Sequence, residues 1–345
     1  MLVLLERLED GPFASHVADA IVAAVREPIA HDDGVLLLVA SVGIAVHPDD
    51  GEDVGALVRA AESAAQGARA AGGDLFGFST ARMGADAGRR MAIERALVGV
   101  VERRELNLAF QPQIDARDGT VVGVEALLRW KNPKLGQVPP DELVPILEAS
   151  GAIDRIGAWV LEEACRYGAS WQELGRPLRV GVNVSAHQLR DEAFPRIVDQ
   201  AVGASGLGHD RLELELTESV LVDNPESTRR VLDALRSRGV RIAVDDFGTG
   251  YASLAYVRQF PMDTIKIDRQ FVRGLPLDNE SAAITSAIVA LGQSLRLDVV
   301  AEGVETEAAE EFLFSQRCYV MQGYRHARPM PPEDLAEWRR RRPWA

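Results

Sequence analysis

The stretch VRIAVDDFGTG, Val240–Gly250, indicates the fold class of this chain. An apolar run with β-branched residues at alternate positions ends at two adjacent carboxylates, Asp245 and Asp246, and a glycine-containing turn follows. This order is typical of a buried strand in an α/β protein. The amphipathic segment Glu226–Arg238 just before it predicts a helix, so the local unit is a helix followed by a strand.

The same alternation of helix and strand recurs on both sides of this stretch. Ile153–Trp171 and Ser281–Ser294 have helical periodicity. Eight short strands with intervening helices over about 250 residues predict a TIM-like (β/α)8 barrel, which we place at residues 90–340. The predicted strands are Leu106–Gln113, Val121–Trp130, Leu178–Val184, Arg211–Leu216, Val240–Val244, Thr264–Ile267, Asp298–Ala301 and Tyr319–Gln322.

Polar side chains mark the ends of nearly all these strands. In an α/β barrel the carboxyl ends of the strands form one rim, and the active site lies there. We therefore expect these side chains to lie together. They are Glu125, Asn183, Glu215, Asp245, Asp246, Lys266, Glu302 and Gln322.

Each residue also has an ordinary structural explanation. Glu125 could be a solvated strand end, Asn183 could cap a turn, and Lys266 could form a surface ion pair with Asp268. Taken together, however, five acidic side chains on one rim would repel each other unless cations were bound. The set therefore favours a metal site.

The residue types indicate which metal. Mg²⁺ and Mn²⁺ prefer carboxylate and amide oxygens, whereas the six histidines are scattered and do not favour zinc. Adjacent Asp245 and Asp246 could provide one carboxylate that bridges two ions and one that binds a single ion. Glu213 and Glu215 alternate with leucines, so both carboxylates share one face of a strand and need a partner inside a barrel.

Composition limits the classes of function. The net charge of −14 argues against binding of long nucleic acids but not against a small phosphate ligand held through a metal. The longest nearly apolar run, Val35–Val46, is too short to span a bilayer, and acidic residues interrupt the apolar start. We expect a soluble cytoplasmic protein without a membrane partner, in which Cys165 and Cys318 are buried thiols.

Residues 1–80 predict a small separate α/β segment. Phe13–Val25 and Asp53–Ala68 have helical patterns, and Val35–Val46 is rich in β-branched residues. Met1–Leu5 and Asp74–Phe78 are predicted strands. Residues 81–89, within a stretch of mostly small or polar residues, are expected to form a linker.

The motifs in the second part of the chain resemble those of the EAL domain, a family of cyclic di-GMP phosphodiesterases. The resemblance runs from about Arg90 to Pro332, with the motifs in the family's order. They are EAL (Glu125–Leu127), NVS (Asn183–Ser185), ELTES (Glu215–Ser219), DDFGTG (Asp245–Gly250), KID (Lys266–Asp268), EGVE (Glu302–Glu305) and QGY (Gln322–Tyr324).

This resemblance implies a reaction and a cofactor. The substrate would be cyclic di-GMP, opened to linear pGpG by two divalent ions, Mg²⁺ or Mn²⁺, in a chain that forms a homodimer through the barrel. The implied metal ligands are Glu125, Asn183, Glu215, Asp245, Asp246 and Glu302. The implied catalytic residues are Lys266, Glu302, Glu305 and Glu218, of which Glu218 would anchor the loop Phe247–Ser253. The implied substrate contacts are Gln111, Arg129, Asp268 and Gln322.

Two alternatives are a non-catalytic cyclic di-GMP receptor and a protein-interaction module, which family members become when metal ligands are lost. Here no ligand position departs from the family pattern. One departure lies elsewhere: Arg325–Pro329 is more basic than is common in the family.

Residues 1–80 resemble the C-terminal half of a GGDEF (diguanylate cyclase) domain. The resemblance rests on Ser41–Val46, on the alanine-rich helix from Asp53 and on the turn Ala70–Asp74. The GGDEF motif itself is not present in this sequence. We therefore expect no cyclase activity.

Overall fold

The computed structural model describes residues 2–5, 11–26, 29–31, 34–36, 38–70, 75–79, 81–172, 178–218, 220, 225–248 and 260–341. The chain divides into two compact units, Met1–Ala96 and Leu97–Ala345. In the described residues, no helix is both long and apolar enough to cross a membrane.

The first unit is a small α/β arrangement. Helix α1 (Gly11–Arg26) precedes an antiparallel pair, β1 (Ile29–His31) and β2 (Gly34–Leu36). Strands β3 (Ser41–Ile44) and β4 (Leu75–Phe78) pair in parallel, and helix α2 (Val54–Ala70) connects them.

Helix α2 packs closely on β3. A Cβ atom at Gly43 would lie 1.8 Å from the carbonyl oxygen of Ala61, so the two backbones touch. The predicted helices and the strand ending at Phe78 are confirmed. The predicted strand at Met1–Leu5 is wrong for its described residues, 2–5, because they pair with no strand and Leu4 is 78% exposed.

The expected linker at residues 81–89 is helical. Helix α3 (Ala81–Leu97) runs through it, in keeping with an alanine-rich sequence that favours helix. The division between the compact units falls at Ala96, near the end of this helix.

The second unit is a closed eight-stranded barrel, so the predicted fold class is confirmed. Around the barrel the strand order is β5, β6, β8, β9, β10, β11, β12, β13 and back to β5, while β7 extends β6 beyond the barrel. The strands are β5 (Leu106–Asp115), β6 (Thr120–Asn132), β7 (Gly136–Val138), β8 (Arg179–Asn183), β9 (Leu212–Thr217), β10 (Arg241–Phe247), β11 (Thr264–Ile267), β12 (Asp298–Ala301) and β13 (Val320–Met321).

Strand β5 is antiparallel to both of its neighbours, unlike the other strands of the barrel. It forms a hairpin with β6, in which Gln111 lies opposite Glu125. The expectation that Glu125 ends its strand is wrong: β6 pairs with β8 only over Gly123–Ala126 and then continues past the rim beside β7. Glu125 therefore lies at the rim although it is in the middle of β6.

Helices surround the barrel and connect its strands. Asp278 caps the helix Asn279–Leu295, with Oδ1 and Oδ2 accepting from the backbone N–H groups of Glu280 and Ser281. The helices are α4 (Pro140–Ala149), α5 (Ala152–Ser170), α6 (Ala186–Leu189), α7 (Phe194–Ser205), α8 (Pro225–Arg236), α9 (Arg269–Val272), α10 (Asn279–Leu295), α11 (Glu307–Ser315) and α12 (Pro332–Arg340).

A polar network closes the amino end of the barrel. Glu213, which is 1% exposed, accepts hydrogen bonds from Thr264 Oγ1 at 2.6 Å and from Arg241 Nε at 3.2 Å. Asp298 accepts from Arg241 and from Arg179, each at 2.8 Å. The charge of Glu213 is thus satisfied at the amino end, two residues before Glu215, which faces the opposite rim.

Candidate active site and metal centre

Lys266 is the centre of the carboxyl-end rim. Its side chain is fully buried on β11, and four carboxylates surround its ammonium group. The Nζ atom lies 2.6 Å from Glu215 Oε2, 2.6 Å from Glu302 Oε1, 3.1 Å from Asp245 Oδ2 and 3.6 Å from Glu125 Oε2. The interpretation of Lys266 as part of a surface ion pair is therefore wrong.

This cluster carries more negative than positive charge. Burial alone would lower the pKa of Lys266, but the four carboxylates raise it well above its ordinary value, so the lysine stays charged. Burial raises the pKa of Glu302 to about 8 and that of Glu215 well above its usual range, although Lys266 opposes both shifts. One ammonium does not balance four carboxylates, so the site needs either protons or further cations.

The geometry of the carboxylates fits a cation. One oxygen from each of Glu125, Glu215 and Asp245 lies within 4.8 Å of the other two, and all three residues are buried. Oε1 of Glu215 is buried and has no hydrogen-bond partner among the described residues. An oxygen of this kind is a ready ligand, because leaving it unpaired is costly. Asn183 is beside these groups and donates to Glu125 Oε1 at 2.8 Å.

Two further carboxyl groups, those of Asp246 and Asp268, lie next to this group. Asp246 has φ of 53°, a left-handed backbone conformation that is unusual for a residue other than glycine. The pKa of Asp246 is raised to about 6, first by burial, then by the charge of Asp245, and by a hydrogen bond with Asp268. Asp245, Asp246 and Asp268 thus bring three carboxyl groups together where a second cation is expected.

Three glutamine side chains form a hydrogen-bonded group next to Glu125. Gln322 Nε2 donates to Glu125 Oε2 at 2.5 Å and to Gln111 Oε1 at 3.2 Å. Gln113 Nε2 donates to Gln322 Oε1 at 3.1 Å, and Gln111 Nε2 donates to the carbonyl of Ala327 at 3.1 Å. The first of these bonds holds Glu125 through Oε2, the oxygen that also lies 3.6 Å from Lys266 Nζ. Gln113 was not predicted, since only the tertiary structure places it beside Gln322.

A pocket of about 710 Å³ opens above these groups. Of the predicted residues, it is lined by Gln111, Glu125, Asp246, Asp268, Glu302, Glu305 and Gln322. Several further residues line it that we did not predict, because no motif of metal ligands singles them out. They are Leu127, Asp141, Arg269, Gln270, Gly303, Gly323 and Tyr324.

Of the predicted residues absent from this lining, Asn183, Glu215, Asp245 and Lys266 belong to the cluster described above, whereas Arg129 and Glu218 belong to neither. Arg129 borders a second pocket of about 480 Å³, and its Nη1 donates to the carbonyl of Leu128 at 2.9 Å. Glu218 is buried, and its Oε2 accepts from the backbone N–H of Gly248 at 3.1 Å. This bond ties Glu218 to the start of the predicted loop Phe247–Ser253, of which residues 249–253 lie outside the described part of the chain.

Comparison with known proteins identifies relatives of the whole chain. MucR of Pseudomonas aeruginosa, a bifunctional diguanylate cyclase/cyclic di-GMP phosphodiesterase, is 39% identical over 334 residues, which cover 96% of this chain and 49% of MucR. NbdA of the same organism, a cyclic di-GMP phosphodiesterase, is 38% identical over 325 residues, which cover 94% of this chain and 42% of NbdA. The chain thus spans half or less of the length of these relatives.

Solved structures share the barrel. The PaMucR phosphodiesterase in complex with c-di-GMP matches with a TM-score of 0.68 and 43% identity, covering 71% of this chain and 99% of that chain. The EAL enzyme Bd1971, bound to cAMP and cyclic di-GMP, matches with a TM-score of 0.70 and 28% identity, covering 73% of this chain and 69% of that chain. The family profile described as EAL domain matches residues 90–329. Over those residues, the chain belongs to the EAL domain family.

Proposed function

We propose that this protein hydrolyses cyclic di-GMP to linear pGpG with two divalent ions, Mg²⁺ or Mn²⁺. The observation that carries the proposal is the excess of buried carboxylate around Lys266 at the bottom of an open pocket. Such a charge distribution is costly for a module that only binds proteins, because buried carboxylates without cations destabilise the fold. The relatives named above support the choice of substrate.

The two ions would share one ligand, Asp245. The proposed ligands of the first are Glu125, Asn183, Glu215 and Asp245. Glu302, directly after β12, is a further proposed ligand. Asp245 and Asp246 are the proposed ligands of the second. When bound, such ions make a nucleophile from water and neutralise charge on the phosphoryl oxygens.

The side chains of the chain itself supply the proton transfers and the positioning. Lys266, which stays charged, is the proposed donor of a hydrogen bond to the attacking water, which would keep that water in line with the phosphorus. Glu302 is the proposed general base that takes the proton from this water, with Glu305 supporting it. The water oxygen bonds to phosphorus, the bond from phosphorus to the 3′ oxygen breaks, and that oxygen takes up a proton.

The remaining roles concern the substrate and the loop. Gln111, Arg129, Asp268 and Gln322 are the proposed contacts with phosphates, riboses or guanines, and Glu218 is the proposed anchor of the loop after β10. We also propose that the protein acts in the cytoplasm and forms a homodimer through the barrel. The GGDEF interpretation of residues 1–80 stays a prediction, and so does the expectation that this segment has no diguanylate cyclase activity.

The test is chromatography of cyclic di-GMP incubated with the protein in Mg²⁺ and, separately, in EDTA. We expect pGpG in Mg²⁺ alone, and no product from Glu125→Ala. Tight binding of cyclic di-GMP without product in either Mg²⁺ or Mn²⁺ would contradict the proposal and favour a receptor. Near-normal turnover by Glu125→Ala would show that the ligand set is wrong.

A further inference from the structure

We infer that Arg269 binds the second phosphate of the cyclic dinucleotide, the one that is not being cleaved. The inference rests on the proposed function. Arg269 begins helix α9, directly after Asp268, and lines the 710 Å³ pocket together with groups of the metal centre such as Glu302. No sequence motif pointed to it.

The charge in the pocket makes this residue distinctive. Six of the described residues that line the pocket are acidic. Arg269 is the single lysine or arginine in the described lining. The acidic ones are Glu125, Asp141, Asp246, Asp268, Glu302 and Glu305. Lys266 cannot serve a distant anion, because it is fully buried and its ammonium is already within 3.6 Å of four carboxylates.

Arg269 is nevertheless not paired inside the pocket. Within the described part of the chain, no carboxylate oxygen lies within 4.0 Å of its guanidinium, and the residue is exposed. Its planar fork is therefore available to donate two parallel hydrogen bonds to a phosphate.

The backbone holds Arg269 beside the reacting groups. A Cβ atom added at Gly303, where φ is +66°, would lie 2.5 Å from the Cβ of Arg269. The turn after β12, which carries Glu302, is thus in direct contact with the first residue of α9. This contact fixes where the side chain of Arg269 starts relative to Glu302.

The substrate requires such a group. A cyclic dinucleotide has two phosphodiester groups, each with one negative charge, and the metal centre neutralises one of them. The other lies in the same pocket, where carboxylates would repel it. Arg269 is the described residue of the lining that can compensate this charge.

The test compares steady-state kinetics of wild type, Arg269→Gln, Arg269→Lys and the matched control Arg273→Gln. Arg273 is exposed, lies one turn further along, and is absent from the lining of the pocket. We expect Arg269→Gln to raise KM for cyclic di-GMP by about 10- to 100-fold with kcat within about threefold, since a charge-assisted bond is lost while the metal centre is kept. Arg269→Lys should recover part of the loss, and Arg273→Gln should behave as wild type.

A second substrate separates phosphate binding from structural damage. In an analogue of cyclic di-GMP whose non-scissile linkage is a neutral methylphosphonate, Arg269→Gln and wild type should have the same KM. A penalty that persists on this analogue, an unchanged KM for cyclic di-GMP, or a parallel fall in kcat and Mn²⁺ affinity would each overturn the inference. Wild type that turns over neither substrate would instead contradict the proposed function.

Discussion

Two glutamates on one face of β9 are expected to differ in function: one stabilises the fold and the other takes part in the reaction. Glu213 belongs to the polar network at the amino end of the barrel, and Glu215 to the cluster around Lys266. Both are almost completely buried, at 1% and 0% exposure. We predict that Glu213→Gln lowers stability and keeps turnover, whereas Glu215→Gln keeps stability and abolishes turnover.

The magnitudes follow from the partners. Glu213→Gln removes the charge that receives bonds from Thr264 and Arg241, and hydrogen bonds to charged groups contribute about 1.5–3 kcal/mol. At about 2–4 °C per kcal/mol for a domain of this size, the loss in Tm is roughly 3–12 °C. Glu215→Gln removes one like charge from a cluster of four carboxylates, so Tm in EDTA should be unchanged or higher.

The assay combines thermal unfolding in EDTA with turnover of cyclic di-GMP in Mg²⁺. We expect Glu213→Gln to retain kcat within about threefold, and Glu215→Gln to lose at least about 100-fold, since a proposed metal ligand is altered. The reverse pattern, with Glu213→Gln inactive and Glu215→Gln only less stable, would refute the assignment of the two ends of the barrel.

Three further predictions concern the same unit. Lys266→Met leaves four buried carboxylates without their cation, so it should lower the free energy of unfolding in EDTA by about 3–5 kcal/mol and Tm by roughly 6–20 °C. Mg²⁺ should restore part of this stability, and Lys134→Met, at an exposed position, is the control. Because burial raises the pKa of Glu302 to about 8, a proton must leave before a metal binds, so calorimetric Mn²⁺ affinity should rise from about pH 6 to about pH 8 with proton release. Gly323→Ala places a Cβ 2.1 Å from the carbonyl oxygen of Val304, so Tm and turnover should both fall.

Each of these has a contradicting result. A Tm of Lys266→Met equal to that of Lys134→Met would mean that the carboxylates do not depend on this ammonium. Metal affinity that is flat or falls with pH would contradict the protonated state of Glu302 in the metal-free protein. An unperturbed Gly323→Ala protein would show that the turns after β12 and β13 are not in tight contact.

Much of the barrel could be predicted from the sequence, since buried strands such as Thr264–Ile267 are short apolar runs between turn residues. The direction of β5 could not, because an alternation of apolar residues reads the same in either direction. The helical conformation of residues 81–89 could not be predicted, because small residues are common both in linkers and in helices.

The site was partly predictable for a similar reason. Lys266 and Glu215 could be proposed because a charged residue directly within an apolar strand is expensive unless it has a partner. Gln113 and Arg269 could not, since their chemistry is ordinary and their roles come from groups that are distant in sequence. Arg129 shares a face of β6 with Glu125, but the strand continues past the rim beside β7, so Arg129 borders the second pocket.

Anomalous diffraction from crystals grown with Mn²⁺ and cyclic di-GMP tests the central claim most directly. We predict two anomalous peaks roughly 3.5–4 Å apart, one among Glu125, Asn183, Glu215 and Asp245 and one beside Asp245 and Asp246. Crystals with bound dinucleotide but no anomalous peak beside these carboxylates would contradict the account.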